Sequence, residues 1–496
     1  KGFTRLGADC EIYTPDRVSE GYGLNQRIVE QSFERGASMI VTCDNGIAAF
    51  DAISRAKALG MEVIVTDHHD IPFEENDDGT IRTLRVEADA IVNPKQPDCS
   101  YPFKKLCGAG VAFKLLCLLY DRAGLPAAEK YALLEYVAIA TVADVMDLTD
   151  ENRIIVKLGL NMARRTKNVG LKALIDANKL NPDRLSAYHI GFVIGPCFNA
   201  AGRLDTVKIA LDLLSETDET KAAIMAQELK ELNESRKSLT VAGFEQAVEK
   251  IEGSSLKDDK VLLVLLDDCH ESLVGIIAGR IKEKYHKPTF VFTRVEDGFI
   301  KGSGRSIEAY NMFMELTRQK VLLARFGGHP MAAGLTLLEA NLEELRKNLN
   351  EAAALTEEDF IPVVRIDVPM PIGYVTMDFI HQLELLEPFG KGNTKPVFAQ
   401  KHFRILKARV LGKNRNVLKM LVIDDNQTTA DAIYFGDIPA FEAFIEEEFG
   451  ALQKKLMFEG KSNSVELSMT YYPDINEYMG TKSIQMVVTG YCLIRS

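Results

Sequence analysis

The chain has 496 residues, 46% of them hydrophobic and 26% charged, with a formal net charge of −12. That length exceeds a single hydrophobic core and predicts three or four domains, and the balance is that of a soluble globular protein. No run of about eighteen apolar residues exists, residues 108–120 being too short and interrupted by Lys114, so no membrane span is read. The opening Lys1-Gly2-Phe3-Thr4-Arg5 lacks the apolar core of a signal peptide. Eight cysteines are scattered with no C-x-x-C pair, which argues against a cysteine zinc site and fits a reducing cytoplasm, the expected location.

Residues 1–160 alternate between strand and helix patterns. Strands are predicted at 9–13, 38–43, 61–66 and 90–92, with helices at 48–59, 110–123 and 129–142. Right-handed crossovers then give a doubly wound parallel sheet, so the fold class is multidomain α/β. Two of these strands end on metal-type side chains. Met39-Ile40-Val41-Thr42-Cys43 runs into Asp44, and Val65-Thr66 runs into Asp67-His68-His69. Open α/β sheets place ligands at such carboxyl ends. Carboxylate plus imidazole suits Mn²⁺, Mg²⁺, Fe²⁺ or Zn²⁺, and an oxygen-rich set leans toward Mn²⁺ or Mg²⁺. The helix at 129–142 leads directly into a further acid, Asp144.

From 150 to 255 the pattern is helical. Residues 221–251 carry a long apolar stripe with Gly243 the only glycine and no proline, read as a connector between two domains. Residues 256–345 return to strands at 261–266 and 289–293, with Gly302-Ser303-Gly304 placed before a helix and a closing helix at 341–354. Pro362, Pro369 and Pro371 mark a linker. Short strand-period segments at 403–411, 418–423, 429–435 and 483–488 with one helix at 438–449 predict a five-stranded barrel of the OB type. The expected domains are 1–160, 161–255, 256–354 and 365–496.

A net negative charge alone argues against nucleic acid, but charge is segregated here. Residues 401–420 hold seven basic side chains and no acid: Lys401, Arg404, Lys407, Arg409, Lys413, Arg415 and Lys419. A basic groove on an acidic protein can track a single-stranded backbone while aromatics stack on bases, and Phe398, Phe403, Tyr434 and Phe435 are available.

Asp67-His68-His69 is the signature that names the DHH phosphoesterase superfamily, and further motifs follow in order. They are Ala140-Thr141-Val142-Ala143-Asp144, Asn199-Ala200-Ala201-Gly202-Arg203-Leu204-Asp205, Gly302-Ser303-Gly304-Arg305-Ser306 and Gly327-Gly328-His329-Pro330-Met331-Ala332-Ala333-Gly334. Over nearly its whole length the chain resembles the RecJ-like branch of that superfamily. The resemblance implies a Mn²⁺- or Mg²⁺-dependent 5′→3′ exonuclease on single-stranded DNA, acting through two ions and releasing 5′-mononucleotides in recombination and repair. It implies Asp44, His68 and Asp144 as metal ligands, Asp67 as the group that orients an imidazole, and His69 facing the phosphoryl group. It also implies phosphate or nucleic-acid contacts from Arg17, Asn199, Arg203, Ser303, Arg305, Gly327, Gly328 and His329, with Asn233 and Arg236 as further candidates. A helicase and a single-strand-binding protein are the partners it suggests.

The chain also departs from the family's pattern. RecJ-like proteins carry a D-x-D on the first strand, which nothing here matches, since Asp144 and Asp147 have the wrong spacing. The chain is therefore expected to be truncated before that motif, and to be weakly active or inactive as it stands. Cys197 occupies a position where relatives tend to carry arginine, and Cys269 and Ser272 flank His270 in place of tryptophan and glycine. Two rival readings stay open: a DHH phosphodiesterase of short oligoribonucleotides or cyclic dinucleotides, and a catalytically silent single-strand-binding scaffold.

Overall fold

The computed structural model describes residues 1–15, 23–75, 80–204, 207–412, 414–478 and 480–494. They divide into two compact units, Lys1–Pro362 and Val363–Ser496. The first unit opens on a three-stranded parallel sheet in which Glu62–Thr66 lies between Met39–Cys43 and Ala90–Val92. The crossover helix Phe50–Ala58 buries Ala52, Ile53 and Ala56 against Val63 and Val65. Val63 and Val65 share one face because strand side chains alternate.

The strand expected at 9–13 is not formed. Those residues are irregular and exposed, and no described strand lies beside them to take up their backbone hydrogen bonds. The helix expected at 129–142 is two helices, Ala127–Tyr131 and Leu134–Ala143. Between them the backbone tightens, with Leu133 N–H bonding to the Lys130 carbonyl and Tyr136 N–H to that of Leu133.

The connector is a single 34-residue helix, Glu219–Glu252, roughly 50 Å long at 1.5 Å per residue. Asp218 caps it by accepting from the N–H groups of Thr220 and Lys221. Its two ends belong to different cores. Ala222, Ala226 and Leu229 pack into the helical layer around Leu171, Leu174 and Ile194, whereas Ala247 and Ile251 pack on Leu262, Val264 and Ile277.

Beyond it lies a five-stranded sheet in the order Leu262–Leu266, Thr289–Arg294, Phe299–Arg305, Ala332–Leu338, Arg325–His329. The first pair is parallel and the others antiparallel. Gly302-Ser303-Gly304 lies within a strand, and the helix Met312–Arg318 follows it. Its glycines turn inward, where Phe292, Phe290 and Met312 leave no room for side chains, and Ser303 turns outward.

In the second unit Phe398–Leu411, Val417–Ile423, Thr429–Tyr434, Thr481–Cys492 and Glu466–Tyr478 pair in that order, and the last closes on the first. This is a five-stranded barrel, with Val368–Pro369 added at one side. The expected helix at 438–449 is present as Ile438–Phe449, and a second, Ala451–Glu459, follows a break at Gly450. Phe398 and Phe403 are core residues, Tyr434 packs against that core, and only Phe435 of the four proposed stacking aromatics is exposed. Lys401, Arg404, Arg409 and Arg415 are exposed, Lys419 is ion-paired with Asp431, and Lys413 lies outside the described residues. No helix of the described residues is long and apolar enough to cross a membrane.

Asn350 anchors the helix Leu342–Ala352 to the sheet. Its side-chain oxygen accepts from the N–H groups of Lys260 and Val261, and its amide donates to the Val261 carbonyl. Asn350→Ala leaves three backbone groups unmatched and is expected to cost about 1–3 kcal/mol. Urea unfolding of the variant beside the parent measures it.

Candidate metal centre and phosphate cradle

The centre is built where two parallel strands end. Asp44 follows Met39–Cys43, and its N–H continues the ladder to the Thr66 carbonyl. It sits in the left-handed region with φ of 66°, a conformation aspartate tolerates better than most residues. One strand over, His68 places Nε2 at 2.9 Å from Asp44 Oδ1 and 3.6 Å from Asp144 Oδ2. Asp144 arrives from a third direction, at the C-terminal end of the helix Leu134–Ala143. The helix stops abruptly behind it. Met146 N–H reaches back to the Thr141 carbonyl, and Val145 is forced to a φ of 54°. For a β-branched residue that is a strained conformation of the kind found at functional sites.

Asp67 does not join this group but fixes it. Only 1% exposed, it accepts from the N–H groups of Ile47, His68 and His69 and from the His69 ring at 2.7 Å. Burial pushes its carboxyl upward, but these hydrogen bonds, led by the His69 ring, prevail and hold it below the usual carboxylate range. The same hydrogen bond, against partial burial, raises the His69 imidazole above its ordinary value, with the charges of Asp67, Asp44 and Asp144 adding to the effect. His69 is also within reach of the centre: Asp44, His68 and His69 each offer a ligand atom within 4.8 Å of the others.

The donor set fits a divalent cation. His68 is 8% exposed, and its Nδ1 has no hydrogen-bond partner among the described residues. Its Nε2 points between two half-exposed carboxylates. One imidazole and two carboxylates are a set that Mn²⁺, Mg²⁺ or Zn²⁺ accepts. Gly108, which sequence reasoning passed over, makes the geometry possible. A Cβ there would lie 2.4 Å from the Asp44 Cβ and 2.6 Å from its Cα, so only glycine lets the helix Gly108–Arg122 start against Asp44.

The second half of the candidate site lies on the five-stranded sheet of the same unit. Strand register puts Ser303, Gly334 and Gly327 in one row and Arg305, Ala332 and His329 in the next. Arg305 Nη1 donates to Ser303 Oγ at 3.0 Å and to the Gly304 carbonyl at 2.7 Å, and burial lowers the pKa of its guanidinium. The helix Val274–Tyr285 starts against this pair, because a Cβ on Gly275 would stand 3.0 Å from Ser303 Oγ and 3.1 Å from Arg305 Nη2. By contrast, a Cβ on Gly327 or Gly334 would meet nothing within 4 Å. Internal packing does not demand those two glycines; they leave an open backbone floor beside a hydroxyl, a guanidinium and a helix N-terminus, which is an anion-binding arrangement. The Asp70 carboxyl is held below its usual range, chiefly by Lys95, and the charges of His69 and His329 contribute in the same direction.

The remaining expected residues are distributed differently. Arg17 lies outside the described residues. Asn199 is exposed on the helix Gly195–Leu204. Arg203, on the same helix, is engaged in a clasp: its Nη1 donates to the Ser272 carbonyl at 2.5 Å, and Ser272 Oγ donates to the Arg203 carbonyl. Asn233 is buried beside Cys197 and accepts from Arg236, so it supports the connector from within. Sequence reasoning missed Gly108, Gly275 and the part of Gly334. The only signal was glycine itself, at a helix start or in a strand.

Three family profiles match the chain: the DHH family N-terminal domain over residues 1–141, the DHHA1 domain over 258–355 and the RecJ OB domain over 366–490. The chain is 37% identical over 487 residues to the single-stranded-DNA-specific exonuclease RecJ of Bacillus subtilis, covering 98% of the chain and 58% of that protein. It is 35% identical to its Salmonella typhimurium counterpart, covering 98% of the chain and 83% of that protein. Among solved structures, RecJ of Thermus thermophilus in complex with Mn²⁺ superposes with a TM-score of 0.79 at 26% identity, covering all of the chain and 66% of that structure. The chain thus spans 58% of the Bacillus subtilis protein, 83% of the Salmonella typhimurium one and 66% of the Thermus thermophilus structure.

The Asp67–His69 pair generates a pH prediction for metal-free protein. Asp67 is depressed, so its contribution to stability is present above the ordinary aspartate pKa of about 3.9 and fades as pH falls through its lower native value. His69 is raised, so its contribution is full below about 6.5 and is lost as pH rises through its higher native value. The pair is therefore strongest between roughly pH 4 and 6.5. Proton NMR should place the His69 midpoint above that of a free histidine, and Asp67→Asn should bring it down.

Proposed function

Because the chain belongs to the RecJ family of single-stranded-DNA-specific exonucleases, we propose that it degrades single-stranded DNA from the 5′ end, releasing 5′-mononucleotides in a Mn²⁺- or Mg²⁺-dependent reaction. The observation that carries this reading is His68 Nε2 held between Asp44 and Asp144, in the same compact unit as an open cradle beside Ser303 and Arg305.

Asp44, His68 and Asp144 are the residues that would hold metal. When bound, divalent ions would lower the pKa of an attacking water and stabilise charge developing on phosphorus. Asp67 keeps the His69 ring turned and favours its protonated form, so that its outer nitrogen can donate to the phosphoryl group or to the leaving oxygen. Ser303, Arg305, His329 and the backbone beside Gly327, Gly328 and Gly334 would take the 5′-terminal phosphate. Arg17, Asn199 and Arg203 are assigned to the same nucleic-acid path on the family resemblance.

Exposed Lys401, Arg404, Arg409 and Arg415 on the barrel would follow the strand's phosphates, with Phe435 available for stacking. The proposed division of labour is catalysis in 1–160, spacing in 161–255, phosphate binding in 256–354 and strand binding in 365–496. Recombination and repair in the cytoplasm, beside a helicase and a single-strand-binding protein, is the setting this reading implies. Free and scattered cysteines fit that compartment.

An oligonucleotide labelled at either end, incubated with Mn²⁺ and the protein, tests the proposal. Early release of the 5′ label as a mononucleotide is expected. Asp44→Asn should abolish release while single-strand binding persists, and Arg305→Ala should remove any preference for 5′-phosphorylated over 5′-hydroxyl ends. Binding without cleavage by the unaltered protein would leave a strand-binding scaffold instead.

A further inference from the structure

A second group of metal-type side chains lies wholly within the C-terminal barrel. His402, Asp425 and Glu466 each present a ligand atom within 4.8 Å of the others. They come from three separate segments, and each is set by backbone structure rather than by its fellows. His402 sits in a bulge: the pairing of Phe398–Leu411 with Glu466–Tyr478 slips by one residue between Gln400 and Phe403, and His402 takes a φ of 61°. Bulges of this kind re-aim a side chain. The turn that carries Asp425 is pinned by its neighbour Asp424. That residue is 2% exposed and accepts from the N–H groups of Asn426 and Thr428 and from the Gln400 amide. The bulged strand and the turn are thus tied together directly beneath the cluster. Glu466 opens its strand opposite Arg404.

Charge makes the arrangement incomplete. His402 Nδ1 lies 2.7 Å from Glu466 Oε1, which accounts for at most one carboxylate. Asp425 has no hydrogen-bond or ion-pair partner among the described residues, yet it is held toward the same point. A surface His–Glu pair alone contributes little. Two carboxylates and an imidazole brought together from three separate segments are the donor set of a divalent cation, and the imidazole favours a transition ion over Ca²⁺ or Mg²⁺. We propose that His402, Asp425 and Glu466 form a cation site in the barrel, separate from the Asp44–His68 centre, that takes Zn²⁺ or Mn²⁺ with water completing its coordination. The ion would clamp the turn at Asp425 to the two strands that close the barrel.

Iron-directed oxidation of the full chain separates this site from the catalytic one. With Fe²⁺, ascorbate and peroxide, peptide mass spectrometry should find His402 oxidised ahead of the exposed His381, and Zn²⁺ should suppress it. In the Asp425→Asn/Glu466→Gln variant the excess at His402 should vanish while oxidation of His68 persists. Zn²⁺ calorimetry gives a second readout. His402→Asn, chosen because asparagine tolerates a positive φ, should weaken one binding event on the order of 100-fold and leave the others unchanged. Oxidation of His402 no faster than His381, or full Zn²⁺ stoichiometry and affinity in His402→Asn, would overturn the proposal.

Discussion

One buried carboxylate organises the first unit. Asp67 gathers three backbone N–H groups and one imidazole, from the turn after one strand and from the residues that follow the next. A carboxylate removed from water this far is costly unless its lone pairs are filled, and here they are filled by groups whose positions matter for function. The bond to Ile47 fixes the turn that begins at Asp44; the bonds at residues 68 and 69 fix the two histidines. The residue most characteristic of the motif thus acts through its neighbours, while Asp44, His68 and Asp144 come together as the donor set proposed to hold a cation.

The rest of the unit can be understood as holding that centre against an anion cradle. The 34-residue connector is rooted in two cores, so it behaves as a strut with its ends buried in different layers. The Arg203–Ser272 clasp ties the helical layer to the sheet domain at another point. Asp70, the residue that directly follows the two histidines, is held below the usual carboxylate range chiefly by Lys95, with smaller contributions from the charges of His69 and His329.

Much of this was legible in the sequence because hydrophobic runs ended on ligand chemistry. Met39–Cys43 and Glu62–Thr66 are near-continuous apolar strands, and the residues just beyond them are an acid and an acid with two histidines. Asp144 was legible because a strongly apolar helix stopped on it. The closed barrel followed from short alternating segments, although alternation did not reveal which aromatics the closure would bury, and Phe398 and Phe403 proved to be core. What escaped was whatever depends on an approaching neighbour. Gly108 and Gly275 matter because a helix starts against them, and Gly334 because nothing does. Residues 9–13 read as a strand on local pattern, but a strand exists only beside another. His402 and Asp425 are 23 positions apart and Glu466 lies 41 further on, so only the barrel's pairing and its bulge bring them together.

If His68 holds the cation between Asp44 and Asp144, with Asp67 positioning the histidines from outside the coordination sphere, anomalous diffraction at the manganese edge should locate it there. Crystals grown with Mn²⁺ are expected to give a peak within bonding distance of His68 Nε2 and of both the Asp44 and Asp144 carboxylates, with Asp67 still bound to the His69 ring. A peak coordinated by Asp67, or none between those three side chains, would refute this arrangement.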